Sequence, residues 1–284
     1  MTQAARFRDL LRRDGMVVAP GAYDCITARL IERAGFEAVY MTGAGTAATL
    51  GYPDFGIVTM SEMVENGGRI AAAVGLPVIA DADTGYGNEL NVVRTVREYE
   101  TVGVAGIHIE DQEFPKKCGH LDDKRIVPRE DWVAKIRAAA QSRRSPDFLV
   151  IARTDSRAVA GFDESIARAN AALDAGADMA FVEAVETPEE LALVPKRVRG
   201  ACLLNIVPGG KTPALTLAEA QALGYRLAIL PALLLGAVMS AADRALRALR
   251  ETGAPPAAAP GAKVADTFRR FGADDWNALR KRFS

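Results

Sequence analysis

The chain has 284 residues, 49% of them hydrophobic, with 35 Lys and Arg against 36 Asp and Glu for a formal net charge of −1. That is enough apolar material for one large core. There is no charge excess suited to nucleic acid or an anionic membrane surface, and no run of about 20 apolar residues to span a bilayer.

The segment TQAARFRDLLRRDG predicts an amphipathic helix and has no signal-peptide h-region. Strand and helix patterns then alternate. MVVAPG reads as the first strand, YDCITARLIERAG as a helix closed by Gly35, EAVYMTG as the second strand and MSEMVENGGRIAAAVG as a helix. PVIADAD is the third strand, ELNVVRTVREYETVG a helix and AGIHIED the fourth strand. The longest polar loop, QEFPKKCGHLDDKRIVP, comes next. The helices REDWVAKIRAAAQSR, DESIARANAALDAG, TPEELALVPKRV and TLAEAQALG then alternate with the strands DFLVIARTD, DMAFVEA, ACLLNIV and YRLAILP. Repeated βα units argue for a parallel sheet. An open doubly wound sheet is the alternative; eight units with polar strand ends favour closure into a (β/α)8 TIM-type barrel.

The tail has a different composition. ALLLGAVMSAADRALRALRETG predicts a long helix, GAPPAAAPG a linker, and AKVADTFRRFGADDWNALRKRFS a final helical stretch carrying Phe268, Phe271, Trp276 and Phe283. The expected division is a catalytic barrel over 1–250 and a linker with a C-terminal helical extension over 251–284. Apolar groups beyond a linker need a surface to bury on, from their own barrel or a neighbouring subunit; a loosely packed extension is the plainer alternative. Cys25, Cys118 and Cys202 have no metal-ligand spacing and form no complete disulfide set, which points to a reducing cytoplasm.

Polar residues end one strand pattern after another: Asp81 and Asp83, Glu110 and Asp111, Arg153 and Asp155, Glu183, and Asn205. Delivered to one rim, they suggest a catalytic mouth. Asp54, Asp81, Asp83 and Glu110 suit Mg²⁺, a hard cation that takes one or two carboxylates directly and keeps several waters. Any one of these acids alone also reads as a helix cap or a solvated loop acid. His108 alternates with apolar residues and reads as a core or near-site histidine. Cys118 and His120 lack the further partners a zinc site needs. In KKCGH, Lys116, Lys117 and His120 are expected to lower the Cys118 pKa and supply a thiolate or a transferable proton. Gly119 permits unusual backbone angles there. An exposed basic loop with an incidental cysteine is the alternative.

DADTGYGN, GIHIEDQ with PKKCGH after it, and SPDFLVIARTD together resemble the isocitrate lyase/phosphoenolpyruvate mutase superfamily, from about Val17 to the long helix near Ala248. The chain is most similar to its short bacterial branch of methylisocitrate lyases, dimethylmalate lyases, oxaloacetate-cleaving enzymes and carboxyphosphonoenolpyruvate phosphonomutases. The resemblance implies a Mg²⁺-dependent barrel, with Mn²⁺ as a substitute, and a homotetramer in which a late helix swaps between paired subunits. It implies Asp81 as direct metal ligand, with Asp83, Asp54 and Glu110 acting largely through water. Thr42, Gly43 and Ala44 would bind substrate carboxylate and carbonyl oxygen, with Tyr40 near the reacting atoms and Lys116 among the substrate-binding groups. Cys118 would be the loop acid/base, Gly119 and His120 would hold the remote carboxylate, and Arg153, Glu183 and Asn205 would complete the pocket. The implied reaction is retro-aldol cleavage of a 2-hydroxy di- or tricarboxylate to a 2-oxo acid such as pyruvate and a second carboxylate. Phosphonomutase, oxaloacetate hydrolase or decarboxylase, and a silent dicarboxylate-binding barrel are the alternatives. Two departures stand out: TGAG where methylisocitrate lyases typically read SGGG, and Pro208 in NIVPGGKTP where many relatives place an acid. Ile206, Val207, Pro208, Leu233 and Leu234 are expected, from strand-end position, to line the substrate's side-chain pocket.

Overall fold

Side chains alternate across each strand, so a strand buried on both faces must be apolar at both parities until its functional end. The computed structural model describes residues 1–257, 261 and 263–283. In chain order it contains α1 (Gln3–Arg12), β1 (Val17–Ala22), α2 (Cys25–Arg33), β2 (Val39–Met41), α3 (Gly43–Thr49), α4 (Met60–Ala73), β3 (Val78–Asp81), α5 (Glu89–Thr101) and β4 (Gly106–Glu110). These are followed by α6 (Arg129–Ser142), β5 (Leu149–Thr154), α7 (Arg157–Ala160), α8 (Phe162–Asp174), β6 (Met179–Val182), α9 (Pro188–Arg197), β7 (Cys202–Asn205), α10 (Leu217–Leu223) and β8 (Leu227–Leu230). Last come α11 (Leu233–Thr252), α12 (Val264–Arg269) and α13 (Ala273–Phe283). The eight strands pair in sequence order, all parallel, and β8 closes on β1. The expected barrel is therefore present, and the open sheet is excluded.

One parity fills the barrel: Val17, Ala19, Tyr40, Ile79, Ile151, Phe181, Leu203, Leu227 and Ile229 pack together. Phe7 and Leu10 of α1 join this cluster and plug the end where the strands begin. The other parity packs under the helices. Val78, Ala80, Ile107, Ile109, Val150 and Ala152 meet Met63, Val92, Val96, Trp132 and Ile136 of α4, α5 and α6. Ala180, Val182, Cys202 and Leu204 meet Ile166, Leu191 and Val194 of α8 and α9. Helix starts are fixed locally: Asp24, Thr59, Asn88 and Thr216 each form a reciprocal capping box. Each such cap contributes about 1 kcal/mol.

Two short helices, α3 and α7, were not expected, being only 7 and 4 residues long. The helical tail stretch consists of two helices, α12 and α13, separated at Gly272, whose φ is 80°. The chain divides into compact units Met1–Leu235 and Gly236–Ser284. The boundary between these units falls inside α11, no residue of which is buried. Part of the linker expected over 253–261 lies outside the described residues. No helix among the described residues is long and apolar enough to cross a membrane.

Candidate active site

The strand parity that fills the barrel also builds the site. Two residues beyond Ile79, Ile151, Phe181 and Leu203 come Asp81, Arg153, Glu183 and Asn205, and two beyond His108 comes Glu110. Each is the next inward-facing position, so the apolar core gives way to polar groups at the C-terminal mouth. Register fixes the neighbours: Asp81 pairs with His108 and Glu110 with Arg153 across adjacent strands.

A buried aromatic layer supports this polar tier. Tyr40 Oη lies 2.9 Å from His108 Nε2 and donates to Asp81 Oδ2 at 3.4 Å. The His108 ring stacks on Tyr40 and meets Phe181 edge-on. Burial pushes His108 down to about 4, so its ring is neutral near neutral pH. Burial alone would raise Asp81, but His108, Lys116 and Arg153 outweigh it and bring its carboxyl to about 2. With His108 neutral, Lys116 and Arg153 are the charges that keep Asp81 ionised.

The remaining acids behave differently. Asp83 is pushed up to about 6 by burial, with Asp81 and Asp54 adding to the effect and Lys116 opposing it. Burial also carries Glu110 well above the usual carboxylate range. The Lys116 ammonium is 2.5 Å from Asp54 Oδ1 and 2.8 Å from Asp83 Oδ1. This corrects the expected electrostatics of the loop. Lys116 is bonded into the acid cluster, and the Cys118 thiol is raised, not lowered, by burial and by the nearby Asp54 carboxylate. Cys118 is therefore a thiol near neutral pH, suited to giving a proton.

Arg153 is shared among carboxylates. Its Nε donates to Asp155 Oδ2 at 2.9 Å and its Nη2 to Asp155 Oδ1 at 3.2 Å. Nη1 lies 3.1 Å from Glu110 Oε2 and Nη2 3.4 Å from Glu183 Oε2. The guanidinium stands over the Phe181 ring, 5.3 Å from its centroid. Glu183 accepts from Asn205 Nδ2 at 3.1 Å and from the Ala184 N–H at 2.8 Å. His120 Nδ1 accepts from the Lys211 N–H at 3.0 Å, so in the neutral ring Nε2 carries the proton and faces Glu183 Oε1 at 3.4 Å. Lys124 was not among the expected site residues, and Asp155 was expected only as a strand-end acid at the rim, with no role given to it. Asp155 stands at the i+2 position from Arg153, the next residue of the same parity.

Tyr40, Thr42, Ala44, Asp54, Asp81, Cys118, Gly119, His120, Arg153, Glu183 and Asn205 line one cavity of about 110 Å³, together with Val207, Pro231 and Ala232. Gly43, Asp83, Glu110 and Lys116 stand outside its wall. Of the expected side-chain pocket only Val207 is in this wall. Pro208 and Ile206 line a neighbouring cavity of about 610 Å³ formed by Glu186 and the 206–215 loop. Leu233 is exposed, and Leu234 packs against the helix-side core. The larger cavity carries only Glu186 and Lys211 as charged groups, so the chemistry belongs to the smaller one.

Among the described residues no three acid, thiol or imidazole side chains converge as a formed metal centre; the Lys116 ammonium is the cation bonded within the acid cluster. The donor set still fits a hard divalent ion. Both Glu110 carboxylate oxygens and Asp83 Oδ1 are buried without a well-aligned hydrogen bond, despite the ion pairs they make. A Cβ at Gly43 would lie 2.4 Å from Asp81 Oδ2, so the glycine keeps that oxygen uncovered. All four acids offer the oxygen ligands that Mg²⁺ prefers.

Residues 7–250 match the family described as phosphoenolpyruvate phosphomutase. The 2,3-dimethylmalate lyase of Eubacterium barkeri is 53% identical over 232 residues, 81% of this chain and 80% of that one. The 2-methylisocitrate lyase of Aeropyrum pernix is 44% identical over 246 residues, 87% of this chain and 79% of that one. Among solved structures, a trigonal crystal form of 2,3-dimethylmalate lyase superposes with a TM-score of 0.95 at 42% identity, over 100% of this chain and 96% of that one. Phosphonopyruvate hydrolase in complex with oxalate and Mg²⁺ superposes with a TM-score of 0.90 at 31% identity, over 100% of this chain and 99% of that one. A match over nearly the whole barrel places the chain in the phosphoenolpyruvate mutase/isocitrate lyase superfamily.

Proposed function

We propose that the chain is a Mg²⁺-dependent carbon–carbon lyase that cleaves an alkylated 2-hydroxy dicarboxylate of the 2,3-dimethylmalate type into pyruvate and a second carboxylate. The observation that carries this reading is a protonated thiol, Cys118, in the wall of one cavity with Arg153, ionised Asp81 and an apolar side made of Val207, Pro231 and Ala232. A thiol suits protonation of carbon, Arg153 suits a carboxylate, and the apolar side suits methyl groups. The similarity to 2,3-dimethylmalate lyase supports the same substrate class. A tricarboxylate of the 2-methylisocitrate type is the second reading, favoured by the Aeropyrum relative.

Asp81 would hold the metal directly, with Asp83, Asp54 and Glu110 acting through water, and Mn²⁺ would substitute. When bound, the ion supplies Lewis acidity at the 2-oxygen and adjacent carboxylate. The protein's own groups do the rest. The N–H groups of Gly43 and Ala44 precede the first intrahelical bond of α3 and are placed to donate to a carboxylate. Glu183, oriented by Asn205 and the Ala184 N–H, takes the substrate hydroxyl proton. As the 2-oxygen becomes a carbonyl, the C–C bonding pair passes to the other fragment as an enediolate. Arg153 and the His120 Nε2–H face that charge, and Cys118 protonates its carbon. The closed loop excludes water from the carbanion.

The exposed apolar residues of α11–α13 support assembly into a homotetramer, with late helices exchanged between paired subunits. The unpaired cysteines support a reducing cytoplasm. Incubation of the purified protein and Mg²⁺ with 2,3-dimethylmalate, 2-methylisocitrate, oxaloacetate and phosphoenolpyruvate, followed by ¹H and ³¹P NMR, tests the reading. Pyruvate and propionate from dimethylmalate are expected. A changed phosphorus shift would replace the lyase with a mutase, and no product from either 2-hydroxy acid would overturn it.

A further inference from the structure

We propose that Lys124 is a positioning residue that locks the Cys118 loop onto Arg153 through Asp155. The proposal rests on Cys118 as the loop acid. Lys124 belongs to the same polar loop yet is only 7% exposed. Its ammonium donates to the Gly119 carbonyl and, at 3.0 Å, to Asp155 Oδ1. Asp155 in turn accepts two hydrogen bonds from Arg153. Gly119 closes the circuit, because a Cβ there would lie 2.6 Å from Arg153 Nη2 and 2.5 Å from Glu183 Cγ. One buried ammonium thus joins the loop backbone to the carboxylate that holds the guanidinium.

A trans peptide points its C=O and N–H in opposite directions. Holding the Gly119 carbonyl toward Lys124 therefore turns the His120 N–H the other way and fixes the orientation of the peptide that follows Cys118 and Gly119. The loop has other ties. The Gln112 side chain pairs with both backbone groups of Lys117, and the Cys118 N–H donates to the Asp54 carbonyl. Those bonds hold its near side, whereas Lys124 reaches across to Arg153's partner. A buried ammonium without acceptors is costly, so Lys124 favours the arrangement in which both acceptors are present.

The test uses full-length protein and two readouts. Iodoacetamide labels Cys118 and the exposed Cys25, and peptide mass spectrometry gives their ratio, with Cys25 as internal reference. Lys124→Met should raise the Cys118/Cys25 ratio by about tenfold in the presence of Mg²⁺ and oxalate, and lower kcat about a hundredfold with KM changed less than about threefold. Lys124→Arg should recover part of both. If Lys124→Met cannot be purified folded, Asp155→Asn carries the same expectation for the ratio. An unchanged ratio in the folded variant overturns the proposal, whether or not turnover falls. Because the ratio needs no turnover, a wrong substrate assignment would leave it readable.

Discussion

At the level of single residues, the state of Cys118 decides what the loop can do. Burial and Asp54 hold the thiol above its ordinary range, so it retains its proton at neutral pH. A donor must be protonated to act, so cleavage should proceed on a plateau through neutral pH. On the alkaline side it should fall only beyond the pH at which an ordinary thiol ionises. Cys118→Ser should lower kcat by about 10² to 10⁴-fold while binding of oxalate and Mg²⁺, measured calorimetrically, changes little. Near-normal turnover by that variant would remove Cys118 from the chemistry. Asp155 allows a separate test on stability. Burial would raise its carboxyl, but Arg153 and Lys124 outweigh this and bring it down to about 2, below the 3.8 of an unburied aspartate. A lowered acid stabilises the fold above its unfolded value and loses that contribution as pH falls toward the folded one. The full contribution is about 2 kcal/mol, of which roughly 1 kcal/mol is lost between pH 7 and pH 3. Urea unfolding of the wild type and Asp155→Asn at both pH values should show the gap between them narrowing by about that amount. A constant gap would mean the carboxylate is not held low.

Among the elements, the short ones and the loop contacts were the least legible. The strand ends announced Asp81, Glu110, Arg153, Glu183 and Asn205 because alternation carries the same parity from core to mouth. Helix α3 left no such signal: its 7 residues, GAGTAAT, are too few for an amphipathic period. Lys116 and Lys124 look in sequence like any loop lysines, since their burial depends on acceptors distant in the chain, Asp54 and Asp83 for one and Asp155 for the other. The expectation that Lys116 would acidify Cys118 failed for the same reason. Sequence proximity placed the charge beside the thiol, while the fold gave it to Asp54 and Asp83. The placement of α3 has its own consequence. Gly43→Ala would press a methyl group against Asp81 Oδ2, where Cβ would lie only 2.4 Å away. Overpacking of this kind typically costs about 1–3 kcal/mol. Here the strain falls on the expected metal ligand, so Mn²⁺ affinity, read by electron paramagnetic resonance titration, should drop more than the thermal midpoint suggests. Unchanged affinity would separate Asp81 from the metal.

On the scale of the whole molecule, the barrel and the terminal segment meet opposite conditions. The barrel is closed at its base by α1, where Phe7 is fully buried. Phe7→Ala should cost about 3–5 kcal/mol in urea unfolding and leave KM unaffected, because the plug and the mouth are at opposite strand ends. The terminal unit, Gly236–Ser284, buries none of its large apolar side chains: Phe268 is 60% exposed, Trp276 71% and Phe283 79%. Sequence composition had already marked those aromatics as needing a surface. Scattered single exposures are ordinary, but a row of Val238, Met239, Leu246 and Leu249 on one helix, followed by the four aromatics Phe268, Phe271, Trp276 and Phe283, exceeds what an isolated chain leaves in water. Burial of apolar area contributes about 25 cal/mol per Å², so a second copy covering these groups would be held firmly. Sedimentation velocity at micromolar concentration should therefore find a tetramer. Phe268→Asp combined with Trp276→Asp should shift it toward smaller species without changing the barrel's circular dichroism. A wild-type chain that sediments as a stable monomer would remove assembly from the account and leave those aromatics unexplained.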